Sequence, residues 1–342
     1  MKTWQECLRQ GQVIPACPLA LEENGKWSRR HQRGLLRYYL AARAGGVAVG
    51  VHTTQFDIRL PEHGLYEPLL RETAELLDAE APPHFIRVAG ICGETDQALA
   101  EARTAVDLGY HCGLLNLSAL RHASDAERIA HCRAVGEVLP LFGFFLQPAI
   151  GGCLLQYEFW RAFCELPTAV AIKIAAFNRY QTWDVIRAVM ESGRDDLALY
   201  TGNDDNIIAD LITPFHYRGQ TRRFAGGLLG QWAVWTKTAV EMLHEIQALG
   251  DSPEIPSAWL TRNAELTDAN GVIFDAAHQF AGCIPGINEV LRRQSLLPSS
   301  RCLNPDEKLS PGQSGEIDRI LHCYPHLTDA AFVQAHYLEW LG

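Results

Sequence analysis

Eight short apolar or β-branched runs, separated by segments of helical period, constrain this chain more than any other feature. The runs are Val13–Ala16, Gly46–Val51, Phe85–Gly90, Gly113–Asn116, Leu141–Phe145, Val170–Ile174, Leu197–Tyr200 and Phe224–Leu229, most of them roughly 28 residues apart. They are continuously apolar rather than alternating, which is the pattern of strands covered on both faces in a parallel sheet. Between them, Leu35, Leu36, Tyr39 and Leu40 share one helical face, as do Ala98, Leu99, Ala102 and Ala105, and Ile129, Cys132 and Val135. Asn24-Gly25 reads as a turn, with Ser28 placed to cap the first helix. Strand–helix units repeated eight times predict an α/β fold, a closed (β/α)₈ TIM barrel. An open doubly wound sheet is the competing architecture. The regular spacing and the lack of a G-x-G-x-x-G after the first run argue against it.

The strand rhythm stops near residue 250, where Pro253, Pro256 and Ser257 mark a boundary. Beyond it the sequence reads as helices over Asp268–His278, Ile287–Arg293, Glu316–Tyr324 and Asp329–Trp340. The expected organisation is a barrel over residues 1–250 and a helical extension over 251–342, packed on the barrel. A chain of 342 residues suits one barrel with an added segment.

With 30 basic and 40 acidic residues the net charge is −10, and no run of Lys and Arg stands out. Nucleic acid and anionic membrane are therefore not the expected partners. The ten cysteines are scattered without a C-x-x-C pair, and Cys112, Cys153 and Cys164 sit in apolar stretches. Buried reduced thiols, and hence a reducing compartment, account for them. The opening residues, Met1 to Cys7, are too polar for a signal peptide, and no apolar run approaches the ~20 residues of a membrane helix. The expected location is cytoplasmic.

Lys173 is the residue that points to chemistry. It stands inside the apolar run Thr168–Ala175. A lysine ammonium is rarely buried without a partner, and a closed barrel has no strand edge from which it could reach water. If the side chain points inward, burial lowers its pKa and yields the neutral amine that attacks a carbonyl. His52-Thr53-Thr54-Gln55 follows the second run, at a strand end where barrel active sites lie. Hydroxyls and free backbone N–H groups there suit a carboxylate. His52 has a side chain that titrates near neutrality. The histidines show neither H-x-H nor H-E-x-x-H spacing, so no metal site and no cofactor are expected.

These segments together resemble the dihydrodipicolinate synthase and N-acetylneuraminate lyase family. Ile14-Pro15-Ala16, the turn Glu23–Lys26 and Gly45–Thr54 are similar to the family's opening, which ends in G-T-T-G-E. Ala171–Ala175 resembles the G-I-K-E-A strand that carries the Schiff-base lysine. Thr201–Asp204 resembles the S-G-D-D after the seventh strand, and Pro140–Pro148 resembles P-V-I-L-Y-N-x-P. The resemblance implies that Lys173 forms an imine with a 2-keto acid or aldehyde. It implies that Thr53 and Thr54 hold the carboxylate, and that Gly202 and Asn203 shape the far wall. It also implies a homo-oligomer, dimer or tetramer.

The departures are as informative. The family's fifth-strand tyrosine, its proton carrier, falls on Phe145 counting back from Pro148 and on Phe144 counting forward from Pro140. Either way a phenol is missing. Gln147, two residues past Phe145, is expected to share its inward face and to bond substrate. Gln55-Phe56 replaces the final G-E, and Asn116–Leu120 lacks the synthase tyrosine pair. The synthase arginine falls on Ile150, in a Pro148–Gly152 loop closer to that of the lyases. The expected function is a Schiff-base-forming lyase, aldolase or dehydratase in type, that is not a true dihydrodipicolinate synthase. The alternatives are a keto-acid binder with weak or no turnover and a metal-dependent hydrolase on the same fold.

Overall fold

Each of the eight apolar runs forms a strand in the computed structural model, which describes residues 2–252 and 254–342. Met1 and the boundary residue Pro253 lie outside the described residues. The barrel strands are β1 (Val13–Pro15), β2 (Gly46–Val49), β3 (Ile86–Ile91), β4 (Cys112–Leu115), β5 (Leu141–Leu146), β6 (Ala169–Ala175), β7 (Ala198–Thr201) and β10 (Gly226–Leu229). They run in parallel, in the order β1-β10-β7-β6-β5-β4-β3-β2. The ring closes between β2 and β1, where Gly45 N–H donates to Val13 O at 3.0 Å and Cys17 N–H donates to Ala48 O at 2.8 Å. The expected (β/α)₈ barrel is therefore present.

Helices cover the outer faces, among them α2 (Arg29–Ala41), α5 (Asp125–Gly136) and α7 (Arg179–Ser192). Their starts follow local chemistry. Ser124 and Glu127 form a reciprocal capping box on α5, and Asn178 Oδ1 accepts the Tyr180 and Gln181 N–H groups that open α7. Ser28 does stand before α2, but its hydroxyl pairs with His31 Nδ1 at 3.0 Å instead of a backbone N–H.

Two elements were not foreseen. Helix α1 (Trp4–Gln10) closes the N-terminal end of the barrel, where Leu8 O accepts the Tyr200 hydroxyl at 2.7 Å. A hairpin, β8 (Phe215–Tyr217) and β9 (Gln220–Arg222), interrupts the path from β7 to β10.

Alternation divides each strand between two cores. Ile172, Ile174 and Phe145 face the helices, whereas Ala171, Ala175, Phe142, Phe144 and Tyr200 fill the barrel. Phe142 and Tyr200 meet edge to face at 5.3 Å and plug the lower half, so any cavity must open at the strands' C-terminal ends.

The helices past residue 250 agree with the reading in type and differ in their bounds, the first most of all, running from Ala258 and ending at Ile273 rather than His278. They are α10 (Ala258–Ile273), α11 (Cys283–Arg293), α12 (Gln313–Cys323) and α13 (Ala330–Leu341). Asp329 joins them to the barrel. Its carboxylate accepts the Tyr38 hydroxyl at 2.6 Å, the Lys237 N–H at 3.1 Å and the Gln294 amide at 2.9 Å. Among the described residues no helix is long and apolar enough to cross a membrane.

Candidate active site

Lys173 lies at the middle of β6, pointing into the barrel between two small inward neighbours, Ala171 and Ala175. It is opposite Phe144 on one side and Tyr200 on the other. Its Nζ sits 4.5 Å from the centre of the Phe144 ring, and the residue is only 8% exposed. Burial pulls the amine well below the usual lysine range, and the charge of Asp204 offsets part of that effect.

Asp204 comes from the loop after β7 and opens on the same cavity as Lys173. Gln231 N–H donates to its Oδ1 at 3.3 Å, and Asn270 Nδ2 donates to its backbone carbonyl at 2.7 Å. Burial raises this carboxyl, with the lysine opposing. His52 and Thr53 line the cavity from the short turn after β2. Burial holds the His52 imidazole down at about 4, with the lysine's charge as the lesser cause, so the ring is neutral at physiological pH.

Gln147 also lines the cavity. It does so just past the end of β5, where the chain turns into Pro148–Ile150, and not by strand alternation. Its Nε2 is buried without an acceptor among the described residues. Gly202 completes the group, leaving room for the lysine stem. The cavity's volume is about 40 Å³. That is room for a molecule of a few heavy atoms once waters leave.

Three expected residues are elsewhere. Phe145 faces outward and packs on Trp160 with ring centres 5.5 Å apart, so the ring over the lysine is Phe144. The Thr54 hydroxyl is used locally. It donates to Cys17 O at 2.7 Å and accepts from Gly50 N–H at 3.0 Å, which fixes the turn presenting Thr53. Asn203 points away from the cavity. Its Nδ2 donates to Asp210 Oδ2 at 2.8 Å and its Oδ1 accepts Phe177 N–H at 3.0 Å, so it props the β6–α7 loop.

The sequence reading also missed residues that the structure brings in. Phe274, Phe280 and Cys283 reach the cavity from the helical extension, and Phe177 reaches it from the loop after β6. Phe177 and Phe280 meet edge to face at 5.8 Å across the mouth. For Asp204 the signal was its place in Thr201–Asp204, a segment the sequence already marks, just past the end of β7. Among the described residues no three His, Cys, Asp or Glu side chains converge as metal ligands would.

No family model matches the chain, and no curated protein matches its sequence. Solved structures match its shape. The dihydrodipicolinate synthase from Bacillus clausii superposes with a TM-score of 0.74 at 15% identity, covering 93% of this chain and 99% of its own. The chloride-inhibited dihydrodipicolinate synthase from Acinetobacter baumannii, complexed with pyruvate, gives 0.73 at 15% identity, with 91% and 98% covered. A prophage protein of the dihydrodipicolinic acid synthase family from E. coli K12, also in complex with pyruvate, gives 0.71 at 15%, with 93% and 98% covered. This chain has their fold. At such identities the likeness extends to the barrel and its helical extension, and chemistry must be argued from the cavity.

Proposed function

We propose that the chain is a divergent member of the dihydrodipicolinate synthase and N-acetylneuraminate lyase family, a class I aldolase-type lyase in which Lys173 forms a Schiff base with a small 2-keto acid. The observation that carries this reading is the amine itself, inside an apolar strand, desolvated, and open to a cavity. A buried lysine costs free energy, and a nucleophilic task accounts for retaining one. The pyruvate complexes of two proteins of the same fold support the substrate class.

In this reading the substrate carboxylate meets neutral donors. These are the Thr53 hydroxyl, the N–H groups at the start of the His52–Thr54 turn, and the unpaired Gln147 amide. The keto carbon then faces Lys173 Nζ. Ile150 stands in the cavity wall where the resemblance places the synthase arginine, which argues against a true dihydrodipicolinate synthase. A cytoplasmic homo-oligomer goes with the family reading, and the ten unpaired thiols suit a reducing compartment.

The test is to incubate the protein with pyruvate and other 2-keto acids, reduce with borohydride, and map the adduct by mass. An adduct on Lys173 that vanishes in Lys173→Met is expected. A folded protein giving no adduct with any keto acid overturns the reading. One observation favours a second reading, a binder without turnover: the residue over the amine is Phe144, which cannot carry a proton. An adduct that forms but never progresses to bond cleavage with any substrate would select it.

A further inference from the structure

If Lys173 forms an imine, protons must still move, because the attacked oxygen has to leave as water. The ring over the amine has no hydroxyl. Among the described residues the one phenol inside the barrel is Tyr200, turned downward, donating to Leu8 O at 2.7 Å and accepting from Gln12 N–H at 3.1 Å. His52 stays neutral at physiological pH and would be a weak acid there. Of the titratable groups that face the cavity, Lys173, Asp204, His52 and Cys283, burial also pushes the Cys283 thiol up and makes it a poor proton donor. Asp205, next in sequence, is drawn off towards Arg179 at 3.7 Å.

We propose that Asp204 is the catalytic proton carrier of this site, doing with a carboxyl group the work of the missing phenol. The inference rests on the Schiff-base reading of Lys173. Its geometry is that of two buried groups opening on one small cavity, with the carboxyl held by Gln231 N–H. Burial disfavours charge on both groups, so the pair gains access to its neutral form, amine beside carboxylic acid. That form carries the same number of protons as the ion pair. The nucleophile and its acid are thus produced together, with no proton lost to solvent.

The steps balance. The Lys173 nitrogen lone pair forms the C–N bond as the keto π bond opens onto oxygen. Asp204 gives its proton to that oxygen and takes one from the new ammonium, leaving a neutral carbinolamine. The same proton then passes to the hydroxyl, which departs as water while the nitrogen lone pair forms the C=N bond. The products are a protonated imine, water and the Asp204 carboxylate. The iminium replaces the ammonium as the cation opposite the carboxylate.

The test follows imine formation with pyruvate across pH, quenching aliquots with borohydride and reading adduct mass against time. In the wild type the rate should rise and then fall with pH, the alkaline limb marking loss of the last proton from the pair. Asp204→Asn keeps the volume and the acceptor for Gln231. It should slow adduct formation near neutral pH by about 100-fold, the scale of general acid–base catalysis, and abolish the alkaline limb. The thermal midpoint with and without pyruvate checks that the variant folds and still binds. An Asn variant that forms adduct at the wild-type rate, with the same profile, overturns the proposal and leaves the lysine reading standing. If wild type forms no adduct, both readings fall together. If the variant does not fold, the wild-type profile decides: a rate that climbs to a plateau without an alkaline limb also overturns the proposal.

Discussion

A Cβ built on Gly202 falls 2.6 Å from Lys173 Cε and 2.9 Å from Ala175 Cβ, so the lysine stem and any larger residue at 202 compete for one space. The lysine reaches the cavity only because position 202, just past the end of β7, carries no side chain. Gly202→Ala should displace the flexible stem and crowd the immobile Ala175, costing about 1–3 kcal/mol as overpacking does. Adduct formation with pyruvate should fall by at least tenfold while the protein remains folded. Denaturant unfolding and borohydride trapping read the two effects, and an unchanged trapping rate would show that the stem does not pass where we describe it.

The two adjacent phenylalanines of β5 separate sharply. Phe144 faces the amine, so a hydroxyl added to its ring opens on the cavity that Lys173, His52 and Asp204 share. Phe144→Tyr should leave the unfolding free energy nearly unchanged and accelerate imine formation. Phe145 is fully buried against Trp160, and Phe145→Tyr should strand a hydroxyl at a cost of about 1–3 kcal/mol without changing trapping. The opposite pattern would mean that the faces of β5 are reversed.

That pair also shows where the sequence stops being legible. The barrel could be read because eight doubly covered strands need eight apolar runs, and Lys173 stood out because a charge interrupts one of them. The face of β5 could not be read from one strand. Counting from Pro140 and from Pro148 gave different answers, since the chain leaves β5 at Leu146 and turns through Pro148–Ile150. The pairing of Phe144 with Lys173 resolves it. Motif position puts Asn203 in the wall, whereas the turn past the end of β7 brings its neighbour Asp204 there instead. Phe274, Phe280 and Cys283 lie more than a hundred positions beyond Lys173. Nothing in local pattern says that the extension folds back over the mouth.

That mouth is narrow for a definite reason. Phe177 (φ 50°) and Phe280 (φ 68°) both hold left-handed backbone conformations that bulky residues seldom adopt, and their rings meet at 5.8 Å. Phe280→Ala should widen the entrance at a stability cost of about 1–2 kcal/mol, below that of a fully buried ring because this one is half-buried. Longer-chain 2-keto acids should then be trapped faster relative to pyruvate. Competition trapping with mixed keto acids gives the ratio, and a ratio equal to wild type would mean that the aromatic pair does not limit size.

His52 gives the site a pH signature separate from catalysis. Burial holds its folded-state pKa down at about 4, whereas the unfolded chain titrates near 6.5. Between those values the unfolded state binds a proton that the folded state refuses. Stability is therefore lost as pH falls through this window, and is regained above it. His52→Gln removes the titration and keeps a neutral hydrogen-bonding group in the turn. On going from about pH 7 to about pH 5 the variant should lose less unfolding free energy than wild type, by roughly 1–2 kcal/mol. Burial also lowers His31, His111 and His131, but they are common to both proteins and cancel in the difference. Urea unfolding of both proteins at the two pH values gives the comparison directly. Parallel losses would show that the imidazole is already hydrated in the folded state. In that case the turn after β2 would be more open to solvent, and the substrate carboxylate would meet water as well as Thr53.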